Sequence, residues 1–435
     1  MKLKKITKIL LLFLFVFSNT FAQQEKGIIG SDNWLNRWTN FSPKNSQHEE
    51  PTQILRGVIT SDTHLYKGET YLLVGNVMVV NNATLTIEPG SVILGDYNST
   101  ASLTITKGAK IIAEGTETDP IVFSSNRSVK RSGDWGGIIV LGDAPTNKFG
   151  NGSVASFYPS LNSMNMTVTN YGGENLEDTS GILKYVRIEY AGKRQRAADQ
   201  FNALLLAGVG NKTVVENIMI SYSANNSFEV WGGNLSITKA VTYKSSGNDF
   251  SFNYGAQANL INSLAVRSPY TSTNEKSRCL KIKSYNEKTE VDFTKKGTAI
   301  YASNLTFFNN SENVQEDIDR GLVNEGIFVG HNTTFEIKRS VISGFNPAVV
   351  LDENIKVNQE SLDKIKLHHV YFNNCNGNIF VENNANNDDL ENWYGNRAFF
   401  NLYSKSPNSE TFIASSVLRK PDYRLRINKI MASTD

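Results

Sequence analysis

Three side chains of this 435-residue chain have the types and spacing to act on a polysaccharide: Glu229, Asp249 and Arg267. Glu229 lies in "NNSFEVWGGN" (225–234) and Asp249 in "NDFSFNYG" (248–255). Two carboxylates flanking a glycosidic bond serve as general acid and base, about 6.5–9.5 Å apart where a water must enter between them. A calcium-dependent lyase instead gathers about six to eight oxygens around the cation and adds a basic residue. Glu229 and Asp249 are 20 residues apart, so a coil of that length would stack them, with Arg267 as the base. The plainer alternative leaves Glu229 solvated or paired on a surface and lets Asp249 cap a turn. Neither the pair His368-His369 nor His48, His64 and His331 shows a ligand spacing, and no metal ligands are assigned.

Such residues need a scaffold that brings distant positions together. Helical periodicity is almost absent, while short alternating runs recur, as in "ATLTIEPGSVILG" (83–95) and "ASLTITKGAKIIAEG" (101–115). Leu85 to Leu103 is an 18-residue step, and "NNSFEVWGG" aligns with "NDFSFNYGA" at 23 residues, Glu229 falling over Phe252 and Trp231 over Tyr254. Short β-branched strands at such spacing, without helices or periodic hairpin turns, indicate an all-β solenoid. Parallel stacking then gives a right-handed β-helix in which each inward apolar residue sits on its counterpart about 4.8 Å away. Asn residues at the turns would form amide ladders between coils. The motif set of β-helix polygalacturonases is incomplete: Asn-Thr-Asp is missing, "VGHN" (329–332) replaces Gly-His-Gly and "LKIK" (280–283) replaces Arg-Ile-Lys.

Lys2, Lys4, Lys5 and Lys8, the apolar run 9–17 and "SNTFA" read as a secretory signal cleaved after Ala22. Formal net charge is +2, with 44 basic and 42 acidic side chains, which leaves no electrostatic footprint for nucleic acid. Cys279 and Cys375, the only cysteines, are either bridged or two buried thiols. Residues 23–65 are assigned to an N-terminal cap in which Trp34, Trp38 and Phe41 cover the first coil, because bare solenoid edges aggregate. The β-helix is placed at 66–385 with insertions at 143–180 and 268–298, and 386–435 form a loop, last coil and basic tail. Phe157, Tyr158 and Tyr171 in the first insertion, with Trp231 and Tyr254 on the coils, are the candidate ligand-binding aromatics.

"GETYLLVGNVMVVNNATLTIEPGSVILG", "GDWGGIIVLGDAPTN" and "SGILKYVRIEYAG" are similar to a family of exported Bacteroidetes parallel β-helix proteins. The resemblance implies export and proximity to outer-membrane TonB-dependent receptors, and implies no reaction. The expectation is therefore an exported, outer-membrane-associated or periplasmic binding or scaffold protein, with a receptor complex or a glycan as partner and no cofactor. The alternative is a carbohydrate-active β-helix, most simply a calcium-dependent lyase at Glu229, Asp249 and Arg267.

Overall fold

The computed structural model describes residues 26–159, 167–195, 199–271, 277–383 and 387–426; the signal segment lies outside them. Its strands wind into a right-handed parallel β-helix with three faces. A front face holds Phe228–Trp231, Phe250–Asn253 and Leu280–Ile282; a back face holds Asn234–Thr238, Gln257–Ile261 and Thr298–Ser303. A side face holds Val241–Tyr243, Leu264–Arg267 and Thr306–Asn309. Twenty-nine strands join this ladder, and each lies parallel to its neighbours, as coil-on-coil stacking requires.

Alternation along each strand sends every second residue into the lumen. On the front face Phe228, Phe250, Leu280, Ile327, Val349 and Ile379 form one inward column, and the Phe228 and Phe250 rings stack at 5.1 Å. Amide ladders form at the turns: Asn226 Oδ1 accepts from Asn248 Nδ2 at 3.0 Å, and Asn225 Nδ2 donates to Asn202 Oδ1 at 3.0 Å. The corner from back to side face repeats a single left-handed residue. Tyr185, Asn217, Lys239, Asn262, Asn304, Arg339 and His369 occupy it with φ between 48° and 57°. Asn tolerates that region; Tyr, Lys and Arg do so at a cost that the flanking ladders hold in place.

Residues 26–50 do not cap the first coil. They run lengthwise along the outside of the side face, beginning near the last coils, where Gly27 N–H donates to Arg339 O at 2.9 Å. Asn262 then clasps Ile29 through both its amide groups, and Lys130 Nζ donates to Ser46 O at 3.4 Å near the other end. The physical reason is that the side face is apolar outward as well as inward. Met219, Val241, Tyr243, Leu264 and Val266 point away from the lumen and need cover, which Leu35, Trp38 and Phe41 provide. The C-terminal hairpin, Phe412–Ala414 with Asp422–Leu425, joins the same layer, and Asn33 Nδ2 donates to Pro421 O at 2.8 Å.

The β-helix itself starts at Gln53, within the segment assigned to the cap. Its far end is closed by the helix Asp388–Tyr394, whose Tyr394 hydroxyl donates to Ile365 O at 2.7 Å. Cys279 and Cys375 are free buried thiols. No helix among the described residues is long and apolar enough to cross a membrane.

Candidate functional site

Glu229 faces outward from the front face, yet only 6% of it is exposed. Trp231 Nε1 donates to its Oε1 at 2.6 Å and Asn226 Nδ2 to its Oε2 at 2.7 Å. Burial raises its pKa, against the pull of Trp231, the Ser251 hydroxyl and Lys281. Asp249 is inside the wall, fully buried beside Cys279, and its Oδ2 accepts from Arg267 Nη1 at 2.8 Å. Arg267 spends its other donors on Gly247 O, Arg278 O and Ser277 Oγ. The three residues therefore do not converge on a groove. Asp249–Arg267 is a sealed ion pair, and Glu229 is a hydrogen-bonded strut on the other side of the wall.

The same geometry bears on calcium at Glu229 and Asp249. A cation needs several converging oxygens around it, whereas an indole N–H and an amide N–H occupy both oxygens of Glu229. Asp249, on the other side of the wall, gives its Oδ2 to the Arg267 guanidinium and keeps only a buried Oδ1 without a partner. The residues do not fit the ion, and among the described residues no group of three or more His, Cys, Asp or Glu could hold a metal.

Register explains why stacking looked different in the sequence. Phe228 lies over Phe250, so Glu229 lies over Ser251 and Trp231 over Asn253. The strand step is one residue shorter than the 23 that the glycine alignment suggests, and one residue exchanges inside for outside. Tyr254 is in the turn, with φ of 54°.

The candidate binding aromatics are packing groups. Phe157, Tyr158 and Tyr171 are at most 2% exposed and pin the first insertion against Ile139, Leu141 and Leu205 of the front face. Trp231 is half-buried between Phe157 at 6.2 Å and Tyr171 at 6.0 Å. Tyr254 donates to Glu290 Oε2 at 2.8 Å under Lys148, which lies 4.0 Å from its ring centre. Four of the five are buried, and Trp231 is half-buried.

An open site exists elsewhere. A cleft of about 690 Å³ follows the corner between front and back faces. Its floor is made by outward residues of three stacked back-face strands, Gln257, Tyr301 and Thr334, and its walls by the second insertion and the loop 352–364. Tyr301 is 47% exposed. Lys296, Lys356 and Lys364 line it with Glu360, and none of these lysines is ion-paired among the described residues. His331 stands at the rim, its Nδ1 3.3 Å from the Tyr285 hydroxyl. A second cleft of about 330 Å³ shares Gln257 and Lys296 and extends to Thr146, Glu174 and Leu176 of the first insertion. The lining is thus a tyrosine among lysines and amides. That set can stack on a sugar ring, donate to hydroxyls and neutralise carboxylates or sulfates.

Sequence reasoning passed over this cleft, although part of its wall is the second insertion. Its residues come from separated turns with no shared motif; the one signal was the lysine content of "DFTKKGTA" (292–299) and "NIKVNQESLDKIK" (354–366).

Parallel coils, inward apolar columns and long loops at the corners define a right-handed β-helix protein. The chain belongs to the pectate-lyase-like β-helix domain family, whose model matches residues 57–403. No curated protein and no solved structure matches it.

Proposed function

We propose that this is an exported envelope β-helix that binds an acidic glycan segment in the corner cleft without cleaving it. The observation that supports this reading most is the placement of exposed Tyr301 among Lys296, Lys356 and Lys364 on a rigid strand floor. Three lysines without an ion-pair partner among the described residues, against one glutamate, favour an anionic chain. The floor rises about 4.8 Å per coil, so successive rungs offer outward groups at a regular spacing along the cleft. On this reading the protein is held at a Bacteroidetes outer membrane beside a TonB-dependent receptor, presenting glycan to it.

The test is titration with uronate oligosaccharides, neutral oligosaccharides and buffer, each with an assay for unsaturated or reducing-end products. Binding of the acidic series alone, without product, supports the reading. Product formation overturns its non-catalytic part; absence of binding overturns the whole.

A further inference from the structure

The two ends of the β-helix differ. The last coil is covered by Leu390 and Tyr394 of the C-terminal helix. The first coil has no cover: Gln53–Ile59 pairs with Thr70–Val79 and with no other strand among the described residues. Ile54 is 63% and Val58 60% exposed, and Leu55 and Ile59 pack on the core from one side. The Thr52 N–H donates to Thr70 O at 2.8 Å. Leu55 lies opposite Leu73, whose C=O accepts from the Asp96 N–H of the third coil, so the backbone groups of Gln53 and Leu55 turn to the second coil and those of Ile54 and Arg56 are directed outward. Such an edge is a template for another strand.

We propose that a second copy of this chain closes the edge, in a two-fold, antiparallel arrangement centred on Ile54. Centring the pair on Ile54 lets its outward N–H and C=O exchange with those of Ile54 of the second copy. Ile54 then meets its own counterpart, and Arg56 lies diagonal to Glu50 of the second copy, within reach of long side chains. Both charged residues are exposed, and the two-fold makes the contact twice. The same rotation lays the second half of Gln53–Ile59 over Thr63–Leu65 of the second copy. Leu55, Ile59 and Leu65 from both chains thereby form one apolar layer. Because the opposite end is capped, the assembly closes at two and cannot extend into a fibre.

Sedimentation of the mature full chain across micromolar concentrations tests this. A particle of twice the chain mass is expected. Ile54→Asp should give monomer, and Arg56→Glu should weaken dimerisation by about tenfold or more. Adding Glu50→Arg to Arg56→Glu should restore it. All three positions are exposed, so an unchanged circular-dichroism spectrum of each variant shows that the contact and not the fold is being read. A monomeric wild type, a dimer indifferent to Ile54→Asp or Arg56→Glu, or failure of the charge swap to restore association would overturn the proposal.

Discussion

Glu229 and Asp249 stand on opposite sides of one wall: Glu229 points outward beneath the first insertion, and Asp249 points into the lumen, paired to Arg267 at 2.8 Å. Twenty residues of sequence separate two carboxylates that no single substrate can touch. Each is a structural group, and its removal should register in stability.

Arg267 is the clearest case. Its loss leaves Asp249 buried and uncompensated, a state that costs about 3–5 kcal/mol. Arg267→Met should lower stability by that amount in chemical denaturation, whereas Arg267→Met with Asp249→Asn should recover much of it. Equal destabilisation by the single and double variants would contradict the ion-pair account.

Glu229 predicts a pH dependence. Burial raises its folded pKa above the unfolded value of about 4.3. The stabilisation from that proton is full below the unfolded pKa and is lost as pH rises through the folded one. Glu229→Gln carries no such loss and keeps an oxygen for Trp231. Its stability relative to wild type should therefore grow as pH rises above the unfolded value of about 4.3. A difference that stays constant with pH would mean that Glu229 does not titrate in this way.

Trp38 tests the strap, the segment 26–50 that runs along the outside of the side face. It is fully buried against the side face, edge-on to Tyr185 at 5.8 Å. Trp38→Ala should cost about 3–5 kcal/mol. Hydrogen exchange should rise first in residues 26–50, and only later in the coils. Uniform loss of protection would show that strap and coils unfold together.

Much of the fold was legible, because inward Val, Ile, Leu and Phe repeat along strands too short for anything but stacked coils. Exact register was not. Leu85 stacks on Ile111 and Leu103 on Ile138, so the 18-residue step joins two different faces. Insertions make coil length irregular, and a one-residue error inverts a side chain, as at Glu229. The strap was misplaced for another reason: Trp34, Trp38 and Phe41 announce an apolar layer but not which surface it covers. Only the outward Met219, Val241 and Leu264 show that the side face needs it. The cleft was least legible, since Gln257, Tyr301, His331 and Lys356 meet only through coil stacking.

The central claim concerns that cleft, and calorimetric titration with an acidic oligosaccharide tests it most directly. Wild type should bind, and Tyr301→Ala should lose about tenfold or more in affinity, equivalent to about 1.4 kcal/mol. Lys356→Glu should weaken binding further at low salt than at high salt. Unchanged affinity in both variants would place any glycan site elsewhere and contradict the account.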